Sequence, residues 1–349
     1  MTPTDPRRCP IVYAAGHGAG TREQRRLQLS ALRGDLIRIH RGVYVAADVW
    51  SGLDARGRHV VLTRAVTAGL DERCVIGHHT AAAVWGLPRV HDDYGDVVTV
   101  FDPRRSTTSR STHLLRRPGM VTPDDQVVDD GLRLTTIERT AVDVARTASF
   151  ADAVLCVDAV LRRLVLPHVD RPLDPVVVRA LDSRRADLLG RLGPPSHPGN
   201  RSARRVLEFA SPLAESAGES LLRVVLFELG LSHVELQRVC RDRGRFAGRC
   251  DAFLAELGVA IEFDGHAKLT DPEMLQGRRP ADVLRERSRR DRRLLGDPAI
   301  RVVVHCEYID LVQPERLVGL LRSAGVPLDP RRVTAAARIA RRRFTGMTS

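Results

Sequence analysis

A chain of 349 residues exceeds one ordinary core, and at roughly 100–200 residues per domain it divides into two or three. Lys and Arg number 55 against 43 acids, a net charge of +12 with pI near 10.5, which makes nucleic acid the first partner to consider, because cationic side chains neutralise phosphates and release counterions. No apolar run approaches the ~20 residues needed to cross a bilayer, the N-terminus lacks the apolar core of a signal peptide, and the six cysteines show no zinc spacing, so a cytoplasmic protein with reduced thiols and no membrane partner is expected.

Residues 21–32 read as a helix with Thr21 as N-cap, Glu23 in the first turn and Leu27, Leu29 and Leu32 as its apolar positions. Residues 36–45 then alternate and turn at His40-Arg41-Gly42, which predicts a hairpin. A basic helix followed by a basic hairpin matches a winged helix-turn-helix, with Arg22, Arg25 and Arg26 on the helix and Arg38 and Arg41 on the wing, all candidate DNA contacts. A solvated Arg-rich helix beside an ordinary hairpin explains the same residues. The pieces Arg41 to Val45, His78 to Leu87 and Leu134 to Asp143 resemble the N-terminal part of AbiEi-type antitoxins, across residues 16–146. That resemblance implies a winged helix on operator DNA followed by an α+β domain.

His78 and His79 open a helix ending near Trp85, and with no carboxylate cluster beside them they read as structural. Thr135 or Thr136 caps a further helix in which Arg139 and Asp143 form an i,i+4 pair. Residues 150–165 carry a helical apolar stripe that closes this domain, and the Pro-, Gly- and Arg-rich segment 166–200, with at most one or two short helices, reads as linker.

The most informative stretch is 249–268. Residues 250–254 and 259–264 alternate with period two about a short turn ending in Gly258, a β-hairpin in which Asp251 lies opposite Glu262 and Arg249 opposite Asp264. Like charges with Cβ atoms about 5 Å apart destabilise a sheet. A proton, a basic neighbour such as Arg249 or a divalent cation can offset the repulsion, and so can a solvated face that lets the carboxylates splay. Upstream, Ser216-Ala-Gly-Glu219 has capping-box spacing, which gives Glu219 a structural role at a helix start. Gln237 falls on a strand before the hairpin and can add polar contacts. Residues 282–295 form a helix with six arginines, either a solvated face or a surface that tracks phosphates.

The ordered pieces Glu219 to Arg223, Asp251, Glu262 to Gly265, Lys268, Arg285 to Arg293 and the strand Ile300 to Cys306 resemble the PD-(D/E)XK, restriction-endonuclease-like nucleases. They look closest to the bacterial domains related to very-short-patch-repair endonucleases. The resemblance implies catalytic roles for Glu219, Asp251, Glu262 and Lys268, Mg²⁺ held by Asp251 and Glu262 with Asp264 as a further candidate ligand, and DNA contacts from Arg289, Arg290 and Arg293. The chain departs from the motif at its lysine, which falls two residues after Glu262, where Asp264 stands; Lys268 takes that role only by reaching back.

The expected architecture is α+β or α/β. It comprises a winged helix over 10–50, an α+β antitoxin-like domain over 51–165, a linker over 166–204, a restriction-endonuclease-like mixed sheet flanked by helices over 205–325, and a basic tail over 326–349. The expected function is DNA binding with metal-dependent hydrolysis of phosphodiester bonds. The alternative is a non-enzymatic DNA-binding antitoxin or transcriptional regulator whose nuclease-fold domain has lost its chemistry.

Overall fold

The computed structural model describes residues 5–14, 21–91, 94–166, 175–264 and 280–345. After β1 (Val12–Tyr13), helix α1 (Arg22–Leu32) starts where the Thr21 hydroxyl accepts from Gln24 N at 3.3 Å. Strands β2 (Leu36–His40) and β3 (Val43–Ala46) form the expected hairpin, and β1 joins it to give an antiparallel sheet of order β1-β3-β2. One expectation fails within α1. The helix buries none of its residues, and Leu29 and Leu32 are 55% and 83% exposed. At 100° per residue Leu27 points away from the other two, so the three leucines never made one face.

After α2 (Ala47–Ser51) comes α3 (Ala55–Thr67), capped by Asp54 and apolar on two sides. Val61 and Ala65 pack with Ile39, Val43 and Val45 of the small sheet, while Val60, Leu62 and Val66 enter a second core. That second core covers a six-stranded mixed sheet of β4 (Val75–Ile76), β5 (Val98–Asp102), β6 (Ser109–Arg110), β7 (Leu114–Pro118), β8 (Gln126–Asp129) and β9 (Leu132–Thr135). Its order is β6-β7-β5-β4-β9-β8. One helix shared by two sheets leaves no boundary near residue 50, and the expected winged-helix segment and the expected α+β segment as far as residue 160 fall within a single compact unit.

Helix α4 (His78–Trp85) opens with His78 buried and His79 half-buried, both neutral. Burial, then the nearby Arg117, lowers His78 to about 3, and its ring stacks on Phe101 with centroids 5.1 Å apart. His79 falls to about 4, again chiefly by burial. Both are structural. Helix α5 (Ile137–Thr147) is capped by Thr136, and Arg139 reaches Asp143 at 3.0 Å as its spacing predicts. Then follow α6 (Phe150–Val165), α7 (Pro175–Gly190) and α8 (Asn200–Phe209). The segment expected as linker with one or two short helices thus holds the 16-residue α7 and the start of α8. Asn200 ties α8 into the first unit by accepting from Arg146 at 2.9 Å.

The second unit spans 161–182 and 210–349. Helix α9 (Ala217–Glu228) precedes β10 (Glu235–Asp242), β11 (Arg245–Leu254) and β12 (Val259–Asp264), then α10 (Pro280–Leu294) and β13 (Val302–Glu307). The sheet order is β10-β11-β12-β13, with antiparallel pairs except for parallel β12 and β13. Helices α11 (Tyr308–Val312), α12 (Pro314–Ser323) and α13 (Pro330–Arg343) complete the unit. The basic tail, expected to be partly helical, is helical over Pro330–Arg343 and anchored where Ala336, Ala340 and Phe344 are buried. All six cysteines are free thiols, buried. Among the described residues no helix is long and apolar enough to cross a membrane.

Candidate functional site

The β11–β12 register is the predicted one, pairing Ala252 with Ile261, Phe253 with Ala260 and Leu254 with Val259. Strand β12 is central, and Val259 through Glu262 are all buried, so the acids do not lie on a solvated hairpin face. Beyond Ala252 the ladder gives way to a side chain. The Asp251 carboxylate accepts from Phe263 N at 2.8 Å, taking the place of a backbone carbonyl.

Glu219 enters from the first turn of α9. Its backbone N–H donates to the Ser216 hydroxyl at 3.2 Å, while its carboxylate accepts from Ser216 Oγ at 2.9 Å and Glu215 N at 2.8 Å. Gln237 Nε2 also donates to it, at 3.0 Å. The cap and the acid cluster therefore share one carboxylate, and the two roles read from the sequence coexist. Gly218 lets the helix approach this closely, since a Cβ there would lie 2.1 Å from Phe263 Cε1. Gln237 is buried on β10 with φ of 51°, a conformation rare outside glycine, and its amide bridges Glu219 and Asp251.

Burial raises all three carboxyls. For Glu219, the backbone N–H of Glu215 opposes burial and the charge of Asp251 adds to it. For Asp251, the Phe263 N–H and the Arg290 charge oppose it. Glu262, 5% exposed, rises to about 7, through burial first and Asp251 second, with Arg290 pulling the other way. Arg290 binds Glu262 Oε2 through Nε at 2.8 Å and Nη2 at 2.7 Å, and donates to Arg249 O at 3.0 Å. Glu262 Oε1 is buried with no hydrogen-bond partner among the described residues.

The basic neighbour that offsets the acids is therefore Arg290, expected as a phosphate contact; its side chain, 44% exposed, pairs with Glu262. Arg249, the neighbour expected from the hairpin, pairs with Glu215 at 3.0 Å. Asp264, expected as a third ligand beside Asp251 and Glu262, has basic partners of its own. It accepts from His305 Nδ1 at 3.0 Å and Arg287 at 3.3 Å, and His305 Nε2 meets Asp291 at 2.9 Å. Burial lowers His305, but its bonds to Asp264 and Asp291 outweigh that and leave it raised. Sequence reasoning missed this chain. The one available signal was a histidine inside the valine-rich strand, which parallel pairing sets beside Glu262.

Lys268 lies outside the described residues. Arg22, Arg25, Arg26, Arg38 and Arg41 of the first unit are exposed, as are Arg289 and Arg293 on α10. Among the described residues no group of three His, Cys, Asp or Glu side chains is placed to hold a metal ion. What the site offers a cation is the unpaired Glu262 oxygen near Asp251. That suits Mg²⁺, which binds through one or two carboxylates and keeps its waters.

Fold and site together define a mixed α+β protein with a cluster of three acids, Glu262 buried and Glu219 and Asp251 half-buried, spanned by a glutamine and neutralised in part by an arginine. No family model and no solved structure matches the chain. It is similar to two Mycobacterium tuberculosis proteins, the uncharacterized proteins MT2308 (strain CDC 1551 / Oshkosh) and Rv2248 (strain ATCC 25618 / H37Rv). Each is 29% identical over 272 residues, which is 77% of this chain and 84% of the relative.

Proposed function

We propose that the protein binds DNA through the arginines of α1 and the β2–β3 wing, and that its second unit is a restriction-endonuclease-like domain hydrolysing phosphodiester bonds with Mg²⁺. The observation that carries this reading is Glu262: a carboxylate buried beside Asp251, with one oxygen unpaired. A lone pair left unsatisfied at depth costs ~1–3 kcal/mol, so a fold keeps it where something binds. Asp251 and Glu262 would hold the ion. Glu219, fixed by its cap and by Gln237, supplies further negative charge at the same place. A divalent ion held there provides positive charge against a phosphate. Lys268, by resemblance, would support the charge that develops on phosphorus.

A second reading has its own support. Arg290 already neutralises Glu262, and Asp264 stands where the motif has lysine. Both suit a DNA-binding regulator whose nuclease-fold domain has lost its chemistry. Thermal melts of the full chain with Mg²⁺ or Mn²⁺ separate the two. Metal at a hundred times its Kd should stabilise the fold by about 2.7 kcal/mol. Asp251→Asn and Glu262→Gln should abolish that gain together with cleavage of duplex DNA. A wild type indifferent to both ions, with no cleavage, refutes the hydrolytic reading and leaves the regulator.

A further inference from the structure

The β10–β11 hairpin runs past the acid cluster to a tip that this reading does not use. Asp242 pairs with Arg245 across a two-residue turn, Arg243-Gly244, whose φ values are 48° and 78°. Two positive φ values define the type I′ turn that favours Asn-Gly or Gly-Gly, because side chains beyond glycine resist that conformation. Here an arginine occupies the first strained position and is exposed. Just below, the pairing jumps from Cys240–Gly248 to Arg241–Phe246, a bulge that leaves Ala247 unpaired. Bulges re-aim the side chains next to them. The result is Phe246, 69% exposed, directly across from Arg241 and flanked by Arg243 and Arg245.

The hairpin is anchored where it leaves the sheet. Asp297, buried, accepts from Arg241 N at 2.9 Å, and the Arg238 guanidinium lies 4.1 Å from the Phe253 ring centroid. Arg241 Nη1 folds over the turn onto Gly244 O at 3.3 Å, which holds the tip in shape. One exposed aromatic requires no explanation. An aromatic raised on a braced ribbon among three arginines has the chemistry of a side chain that enters a base step while its neighbours take phosphates.

We propose that this tip is a second DNA contact, with Phe246 wedged at a base step and Arg241, Arg243 and Arg245 on the flanking phosphates. The proposal rests on the DNA-binding reading above but not on hydrolysis. The partner is double-stranded DNA, since a two-stranded ribbon fits a B-form groove, whereas the major groove of A-form RNA is too deep and narrow. The spacing suits one duplex. Phe246 and Asp251 lie five residues apart on β11, roughly 17 Å at ~3.3 Å per residue. That equals about five base-pair rises at ~3.4 Å, so wedge and acids address the same duplex half a turn apart.

The test uses the full chain without divalent metal and duplexes carrying 2-aminopurine at successive positions. Unstacking by Phe246 should raise fluorescence at one or two adjacent positions. Phe246→Ala should abolish that rise while changing affinity less than about tenfold. Replacing Arg241, Arg243 and Arg245 by Ala should lower the salt slope by up to about 2.7, at ~0.9 per phosphate contact. A fluorescence rise that survives Phe246→Ala overturns the wedge and leaves the DNA-binding reading standing. So does a change in oligomeric state caused by Phe246→Ala, because the ring would then be covered by a second copy. Equal signal and affinity on the same sequence as duplex RNA overturn the choice of DNA. A wild type that binds no duplex overturns wedge and DNA-binding reading together, whereas fluorescence lost with Phe246 but no cleavage under Mg²⁺ upholds the wedge and refutes only hydrolysis.

Discussion

Glu262→Gln isolates the energetic cost of the buried acid. Glu262 titrates near 7 in the fold against an ordinary 4.5, because burial and Asp251 together outweigh Arg290. Ionising it in the folded chain therefore costs about 3 kcal/mol more than in the unfolded one, at ~1.4 kcal/mol per pH unit between the two values. At 5% exposure solvent screening removes little of that. The folded state holds the extra proton, so this contribution leaves stability intact below pH 4.5, erodes it as pH climbs towards 7 and is fully lost above. Glutamine carries no such proton. Measured against wild type, Glu262→Gln should thus gain about 3 kcal/mol of relative stability between pH 4.5 and pH 8. Asp251, also raised, keeps part of the slope in both proteins. Hydrogen exchange at the β12 amides, corrected for intrinsic rates, is the suitable assay, because Trp50 and Trp85 both lie in the other unit. A stability difference that stays flat with pH, or that falls as pH rises, would refute the idea that Glu262 is held protonated by its surroundings.

Gly218→Ala drives a methyl into Phe263 and should cost about 1–3 kcal/mol; adding Phe263→Ala should recover part of it, and a neutral melting temperature for the single variant would disprove the contact. His305, raised by Asp264 and Asp291, contributes stability that is complete below its ordinary 6.5 and disappears as pH passes its folded value. His305→Ala should therefore destabilise more at pH 6 than at pH 9, and equal losses at both would count against the charged chain. Neutralising Arg22, Arg25, Arg26, Arg38 and Arg41 should weaken duplex binding and reduce its salt slope by up to about 4.5. Folding should change by less than about 0.5 kcal/mol, since α1 buries nothing. An unchanged slope would move the DNA surface to Arg289 and Arg293.

The hairpin register, the caps at Thr21 and Ser216, the Arg139–Asp143 pair and the structural histidines were legible in the sequence, because each depends on residues within a turn or two of one another. Period-two alternation alone set Ala252 against Ile261 and brought Asp251 and Glu262 to one place. Long-range contacts were not legible in this way. That Arg290 rather than Arg249 meets Glu262 depends on α10 crossing β11, and Asp264 turns to His305 because β13 lies parallel beside β12. The shared helix α3, which lends one side to each of two cores, likewise follows from having two apolar sides, and a single periodic stripe does not reveal what covers each of them. Local patterning settled which side chains face each other across a turn. Only packing decided whether that face met water, and with it whether three carboxylates would be ordinary surface acids or a cluster built around one buried glutamate.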